Sequence, residues 1–258
     1  MITALGRWIL RHFILLIDLT RLIAAAFLDI PTTLRHGRRP VFRVFLKQVY
    51  FTGMQAFKVI AVISLILGAV IITQIISLVG TGNESLIGRV TAWVVVRELG
   101  PLLTAIIVIA RSGAAIATEL GGMRINGEIE SIESLGISTG HYLIMPRILG
   151  VATAVVILTI YFEIISILGG FTVAAIGWHM PFDPFFEAVF SSLTLNELAI
   201  STAKSLCFGL FLTAACCREG LQVGKSLTEI PQAATSGVMH SLFLVFALDG
   251  ILTLTTLL

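Results

Sequence analysis

The chain has 258 residues, of which 57% are hydrophobic and 12% charged, with a formal net charge of +2 and a mean hydropathy of +1.00. So few polar groups cannot cover a soluble globule of this size. The composition therefore excludes a soluble globular protein, gives no reason to expect a nucleic-acid partner, and predicts an all-α polytopic membrane protein in one domain, residues 1–258.

Residues 1–47 predict a helix lying in the membrane interface, followed by a basic segment. Asp18 and Arg21 interrupt the first apolar run, which argues against a signal peptide. At 100° per residue the charges of this region share a stripe about 80° wide, and the rest of the helix surface is apolar. An uncleaved anchor and an ordinary span remain the alternatives. The charges of the stripe are Arg7, Arg11, Asp18, Arg21 and Asp29, and the basic residues that follow, which face anionic headgroups on this interpretation, are Arg35, Arg38, Arg39, Arg43 and Lys47.

Residues 48–258 contain five apolar runs that are long enough to cross the ~30 Å of hydrocarbon in a bilayer. The clearest has no charge, whereas the other four carry polar interruptions. The predicted spans are Val59–Val79, Val90–Ala110, Leu143–Trp178, Ala199–Cys217 and Ser236–Leu258.

The distribution of Lys and Arg predicts the orientation of these spans. The first 58 residues hold nine, residues 111–147 hold three, residues 217–235 hold two, and residues 178–198 hold none. Because basic residues accumulate on the cytoplasmic side, the N-terminus is predicted to be cytoplasmic and the C-terminus periplasmic.

A segment between the second and third spans predicts a docking helix in the cytoplasm. Ile125, Ile129, Ile132 and Leu135 or Gly136 recur at helical spacing, with glutamates and serines between them. An exposed apolar stripe of this kind can occupy a groove on a partner or pack on the surface of its own protein. The glutamates favour a basic protein partner over anionic lipid.

Upstream of this segment, Gly113, Ala117 and Gly121 are spaced four apart and form a smooth strip on one helix face. Such a strip allows the backbone of another helix to approach closely. Packing inside the bundle and a seam between two copies both explain it.

No nucleotide site is predicted in this chain. Gly220 and Gly224 precede Lys225 and Ser226, but only three residues separate the glycines, whereas the phosphate-binding loop requires four. If ATP drives the protein, another chain must hydrolyse it.

Charged residues inside the apolar runs are the first candidates for a substrate path. An isolated charge at mid-membrane costs at least about 2.5–3.5 kcal/mol on insertion scales, so each should face a partner or a wet cavity. Structural pairing and contact with a lipid headgroup both remain open as explanations. The candidates are Arg97, Glu98, Glu163, Lys204 and Asp249.

One face of the first span supplies further candidates. Leu67, Ile71, Gln74 and Leu78 lie on this face, which carries the only amide of the span. A glutamine turned toward lipid leaves its hydrogen-bonding groups unmet, so this face is predicted to turn toward protein or a wet lumen. Helix packing and a transport path explain it equally well.

Four sequence segments together resemble the MlaE (YrbE) family, the permease subunits of ABC transporters that move lipids between the two membranes of a bacterial envelope. The longest runs from Arg97 to Ile137. The others are Gln48-Val-Tyr50-Phe-Thr-Gly53, Lys204-Ser205 with Phe208-Gly209, and Asp249-Gly-Ile-Leu-Thr253. The chain departs from the family pattern at Ile230–Val238, where Pro231 replaces a glycine.

The resemblance implies a homodimeric inner-membrane permease that works with two cytoplasmic ABC ATPase subunits, which would bind ATP and Mg²⁺, and with a periplasmic MCE-domain protein. It implies that a lipid occupies a cavity between the protomers, and that this chain binds no cofactor or metal of its own. A proton- or ion-coupled secondary transporter using Glu163, Lys204 and Asp249 is the alternative. On this resemblance the residues that engage the ATPase are Glu119, Met123, Arg124, Ile125, Glu128, Ile129, Glu130, Ile132 and Glu133.

Overall fold

The computed structural model describes residues 16–28, 38–80, 82–224 and 226–257. A first helix, α1, covers 16–28. The predicted interfacial helix is therefore described only in part, and its residues Arg7, Arg11 and Asp29 lie outside the described residues, as does Arg35 of the basic segment.

Among the described residues, five helices are long and apolar enough to cross a membrane, which confirms the five predicted spans. The chain is thus a multi-pass membrane protein. The long helices are α2 (Arg38–Val79), α3 (Glu84–Ile125), α5 (Gly140–Trp178), α7 (Leu195–Leu221) and α8 (Glu229–Leu257), and the short ones between them are α4 (Glu128–Ser134) and α6 (Phe182–Ser192).

Helix α2 begins about twenty residues before the predicted span. Its 42 residues are about 63 Å long at 1.5 Å per residue, twice the thickness of the hydrocarbon. The sequence did not predict this extension, because basic residues lower the hydropathy at the start of the helix. Hydropathy detects only the part of a helix that is apolar enough to lie in lipid. The helix continues because backbone hydrogen bonding does not depend on hydropathy.

Helix α3 contains two π-helical segments, Trp93–Leu99 and Ile109–Gly113. Pro101 follows the first of them. A proline ring in a regular helix clashes with the carbonyl four residues earlier, here that of Arg97. The wider turn before the proline accommodates this ring, and the same turn carries the charged pair Arg97 and Glu98.

Contacts divide the chain into two compact units. The first comprises Met1–Val49, Ile109–Val151 and Leu210–Leu244, and the second comprises Tyr50–Val108, Ala152–Gly209 and Val245–Leu258. Each of the five long helices contributes residues to both units.

In the first unit, α3 and α7 pack backbone to backbone along the strip of small residues. A Cβ on Gly220 would lie 2.7 Å from the carbonyl oxygen of Ala117, and one on Gly113 would lie 3.0 Å from the sulfur of Cys216. The strip formed by Gly113, Ala117 and Gly121 is therefore covered inside the chain. Of the two explanations for it, packing within the bundle is confirmed.

In the second unit, α2 and α5 cross at glycines. A Cβ on Gly68 would lie 2.0 Å from the carbonyl oxygen of Ser166, so a side chain at this position would force the helices apart. Helix α6, which belongs to this unit, is held in place by a cluster of phenylalanines around Phe171, whose ring centroid lies 4.9 Å from that of Phe186. These contacts build an apolar core that includes Ile72, Val95 and Phe185.

The predicted apolar stripe of the docking helix is wrong in two respects. The stripe from Ile125 to Gly136 does not lie on one helix, because Gly127 adopts a left-handed conformation with φ of 70° and separates α3 from α4. Ile129 is 1% exposed and is packed in the first unit, which agrees with the alternative that the stripe packs on its own protein and not with an exposed docking stripe. An apolar stripe on a helix is buried wherever its own protein offers an apolar surface, and a short helix anchored at both ends has such a surface next to it.

The C-terminal end of α4 is closed by a Schellman motif. The amide of Ile137 donates to the carbonyl of Ile132, and Gly136, with φ of 75°, donates to that of Glu133. The side chain of Glu133 accepts a 2.8 Å hydrogen bond from Thr139. The exposed surface of α4 is thus mainly acidic, with Leu135 exposed at its end.

The departure from the family pattern at Pro231 has a local explanation. Pro231 is the third residue of α8, where the backbone N–H has no partner in the helix, so proline is tolerated. Before it, the backbone N–H of Gly224 donates a 2.6 Å hydrogen bond to the carboxylate of Glu229. This hydrogen bond closes the turn into α8 in a chain that has proline, not glycine, at 231.

Candidate functional site: a buried network of charges

Three helices of the second unit each present a row of polar side chains. On α7 these are Glu197, Ser201 and Lys204, and on α8 they are Asp249, Thr253 and Thr256. Both rows follow the i, i+4, i+7 spacing that places side chains on one helix face. The π-helical segment of α3 contributes Arg97 and Glu98. The polar rows of these helices meet, and their side chains form one network.

Lys204 lies at the centre of this network. Its side chain is 2% exposed, and its ammonium nitrogen Nζ donates to Glu98 Oε2 at 2.8 Å, to Asp249 Oδ1 at 3.1 Å and to Thr253 Oγ1 at 2.8 Å. These three bonds use all three protons of the ammonium group. The hydroxyl of Thr253 in turn donates to Glu98 Oε2 at 2.9 Å. The cation is therefore fully satisfied by protein groups.

Arg97 is bonded less completely. Its Nη2 donates to the backbone carbonyl of Thr256 at 2.8 Å, whereas its Nη1 lies 3.5 Å from Glu197 Oε1 and its Nε lies 3.9 Å from Glu98 Oε1. The guanidinium carbon also lies 5.7 Å from the ring centroid of Trp93, within cation–π range. Nε itself is buried and donates to no described residue. Arg97 thus has an N–H group still available for a hydrogen bond, whereas Lys204 has none.

Glu163 belongs to the same unit but not to the ion pairs. Its Oε1 accepts a 2.5 Å hydrogen bond from the hydroxyl of Ser201, one turn before Lys204 on α7. Gly100 makes room for it, since a Cβ at that position would lie 2.9 Å from Glu163 Cγ. The side chain is 95% buried, so one hydroxyl and the close packing of α3 hold this carboxyl group.

The structure brings four of the five intramembrane candidates into one ion-pair network, namely Arg97, Glu98, Lys204 and Asp249, and it gives Glu163 a hydrogen-bond partner. Every one of these charges therefore has a partner, as the cost of an isolated charge in lipid requires. Sequence reasoning missed Glu197, Ser201 and Thr256. Their spacing from Lys204 and Asp249 along the helices is the signal that could have identified them.

The four candidates on α2 are not part of this network. Gln74 is exposed and Leu78 is 84% exposed, whereas Leu67 and Ile71 are half-buried. The adjacent face of the helix, with Ser64, Gly68 and Ile72, is the one that is most buried in the second unit. Packing inside this unit accounts for Ile71, which contacts the apolar core, but not for Gln74 and Leu78, which are open to lipid or to another chain.

The candidates for ATPase engagement lie in the first unit, around the turn between α3 and α4. Arg147 Nη2 lies 2.8 Å from Glu119 Oε1 and Arg124 Nε lies 3.5 Å from Glu130 Oε1. The side chain of Arg147 is 5% exposed and that of Glu119 is 60% exposed. A buried guanidinium therefore binds a carboxylate that lies at the surface. Glu128, Glu130 and Glu133 are exposed, and the half-buried members of the set are Met123, Ile125 and Ile132.

Within the ranges that the structure describes, no group of His, Cys, Asp and Glu side chains is arranged to hold a metal ion.

Comparison with known proteins supports a transport role for this architecture. The chain is 27% identical over 215 residues to a probable ABC transporter permease protein of Rickettsia bellii, covering 82% of each chain. It is 26% identical over 255 residues to the intermembrane phospholipid transport system permease protein MlaE of Haemophilus influenzae, covering 98% of this chain and 95% of the relative. A probable permease of Synechocystis is 26% identical over 232 residues, covering 88% and 87%.

The family comparison agrees with these pairwise matches. Residues 45–255 match the family described as Permease MlaE. The matched range includes the five long helices except the first residues of α2 and the last of α8, and it contains every residue of the network around Lys204 except Thr256. The chain therefore belongs to the MlaE permease family.

Proposed function

We propose that this chain is the membrane-embedded subunit of an ABC transporter that moves phospholipid and takes its energy from a separate ATPase. The observation that carries the proposal is the likeness to the Haemophilus phospholipid permease over nearly the full length of both chains. Lipid translocation needs a protein that lies mostly in the bilayer and offers polar groups inside it. The five apolar helices and the buried charge network meet that requirement.

In this proposal the chain works as a homodimer in the bacterial inner membrane, with the N-terminus in the cytoplasm. A cytoplasmic ABC ATPase engages the acidic surface around α4, and a periplasmic MCE-domain protein exchanges lipid with the permease. The exposed Glu128, Glu130 and Glu133 suit a basic groove on the ATPase. Because Ile129 is buried, the exposed carboxylates and Leu135, not the isoleucine stripe, form the contact surface.

Two features of the second unit suit a lipid. Arg97 has a buried Nε that donates to no described residue, and a guanidinium pairs well with a phosphate oxygen. On one face of α2 the exposed Leu78 is available for acyl chains and the exposed Gln74 for a polar group, next to the half-buried Ile71. We infer that this face lines a cavity between protomers, so a photoreactive residue at position 71 should crosslink lipid in the purified dimer.

The test of the whole proposal is a purification followed by reconstitution. An ABC ATPase should copurify with the chain, and the reconstituted complex should move fluorescent phospholipid only when ATP is hydrolysed. Mass spectrometry of the extracted complex should identify phospholipid as the bound molecule. Purification without any ATPase, together with lipid movement that is independent of ATP, would contradict the proposal.

The rival function, ion-coupled secondary transport, has one observation in its favour. Lys204 lies between two carboxylates, those of Glu98 and Asp249, and such an arrangement can exchange protons. The reconstituted protein distinguishes the two functions. Transport that an ionophore abolishes in the absence of ATP supports the rival, and transport that survives the ionophore supports the ATP-driven permease.

A further inference from the structure

A cavity of about 290 Å³ lies in the second unit, away from the bonds of Lys204. Its wall contains Arg89 and Trp93 from α3, Ser192 and Leu193 from the end of α6, and Glu197 from the first turn of α7. This volume is near the lower limit of about 300 Å³ for small-molecule sites. It suits a polar headgroup better than a whole lipid.

The two charged residues of the cavity are incompletely paired. Within the described part of the chain, no carboxylate lies within ion-pair distance of Arg89, which is exposed. Glu197 Oε1 has a 3.5 Å contact with Arg97, at the outer limit of a hydrogen bond, and Glu197 Oε2 is buried and accepts no bond from any described residue. One cavity therefore offers a free guanidinium and a carboxylate oxygen that still needs a donor.

The position of the cavity agrees with a headgroup. Arg89 is the sixth residue of α3 and Glu197 the third of α7, so both lie within the first two turns of a membrane-crossing helix. Trp93, which is 45% exposed, has the amphipathic side chain that is enriched where headgroups meet hydrocarbon. Charged groups near the ends of spans meet the polar layer of the bilayer, whereas Lys204 lies deeper in α7.

We propose that this cavity binds the zwitterionic headgroup of a phospholipid with a primary amine. Arg89 pairs with the phosphate, and Glu197 Oε2 accepts a hydrogen bond from the ammonium group beside the ring of Trp93. A guanidinium binds phosphate through paired N–H donors, and a carboxylate binds an ammonium through charge-assisted bonds. A trimethylated amine has no N–H to donate, and a glycerol headgroup can donate only from neutral hydroxyl groups, so neither makes the charge-assisted hydrogen bond to Glu197.

This inference rests on the proposed function only in taking a lipid as the ligand. It can be tested on the purified full-length chain without any ATPase. The chain is placed in nanodiscs of equal phosphatidylethanolamine, phosphatidylcholine and phosphatidylglycerol with identical acyl chains, and native mass spectrometry measures which lipid is retained. Phosphatidylethanolamine should be retained roughly tenfold over the other two, as expected for one charge-assisted hydrogen bond.

Variants assign the two contacts separately. Glu197→Gln should abolish the preference for phosphatidylethanolamine while leaving phosphatidylglycerol retention unchanged, and Arg89→Gln should lower the retention of all three lipids. The matched controls are Glu187→Gln and Lys58→Gln, because both residues are exposed in the same unit and neither lines the cavity. Ser192→Trp fills the cavity without changing a charge and should also abolish the preference, so the test does not depend on Glu197 variants folding.

Equal retention of the three lipids by the unmodified chain, or a preference that survives both Glu197→Gln and Ser192→Trp, overturns the inference. Soluble phosphoethanolamine provides a further arm. If it displaces the lipid at concentrations equal to those of the lipid itself, the cavity is a site for a soluble ligand and the lipid assignment is wrong. If headgroup preference follows these expectations but ATP-driven transport is absent, the proposed function fails while the cavity assignment stands.

Discussion

Replacing Lys204 by methionine should destabilise the folded chain by about 3 kcal/mol. The substitution keeps the volume and apolar stem of the side chain but removes the ammonium group. Glu98 and Asp249 then lose the cation that bonds to both, and the hydroxyl of Thr253 loses one donor. The carboxylates of Glu98 and Asp249 then remain close together without the positive charge that offset their mutual repulsion.

The magnitude follows from the burial of these groups. Removing one partner of a buried ion pair costs about 3–5 kcal/mol, because the remaining charge is left uncompensated. The side chains of Glu98 and Asp249 are 22% and 16% exposed, so some of their charge can be relieved by polar surroundings. The lower end of the range is therefore expected, even though the lysine side chain itself is only 2% exposed.

The assay is unfolding in mixed micelles with increasing SDS, followed by circular dichroism. The double variant Lys204→Met with Asp249→Asn should recover part of the loss, with a coupling energy of roughly 0.5–3 kcal/mol between the two positions. Lys58→Met is the matched control because Lys58 is exposed on α2, and it should change stability by less than about 0.5 kcal/mol.

An unchanged free energy of unfolding for Lys204→Met would refute this account of the network. So would a double variant that is no more stable than the sum of its single variants predicts. Either result would mean that Glu98 and Asp249 are satisfied without Lys204, contrary to the distances between them.

The remaining predictions concern the first unit and the orientation of the chain. Ile129→Asp should greatly lower the yield of folded protein, because it places a carboxylate in a buried apolar position at a cost of several kcal/mol, whereas Leu135→Asp on the exposed end of α4 should leave folding intact when both are compared by size-exclusion chromatography. In a chain whose native cysteines have been replaced, a cysteine at Ser191 should react with an impermeant thiol reagent from the periplasmic side and one at Ser131 should not. Both positions are exposed, so labelling of both from the same side would disprove the five-span orientation.

The spans could be predicted from the sequence because the length of an apolar run is a local property. The partners of the charged residues inside these spans could not be predicted. Lys204 is 106 residues from Glu98 and 45 from Asp249 along the chain, and only the packing of α3, α7 and α8 shows that these residues meet. The cost of an isolated charge predicts that a partner exists, but it does not identify the partner.

The apolar stripe around Ile129 shows a different limit. Periodicity identifies which residues share a helix face, but the same pattern results whether that face packs on its own chain or on another. Gly127 was the signal that the stripe is interrupted, because a residue in the left-handed conformation ends the preceding helix and changes the direction of the next.

In the π-helical segment Trp93–Leu99, the number of residues matters as much as their identity. A π turn holds one residue more than an α turn, so deleting one uncharged residue of this segment, such as Val95, would remove the wide turn. The part of α3 before the deletion would then rotate by roughly 100° about the helix axis relative to the part after it. Arg89 and Trp93 would leave the wall that they share with Glu197, although every charged residue of the network would still be present. Related permeases should therefore tolerate substitutions in this segment more readily than deletions, and an alignment of their sequences should show few gaps there.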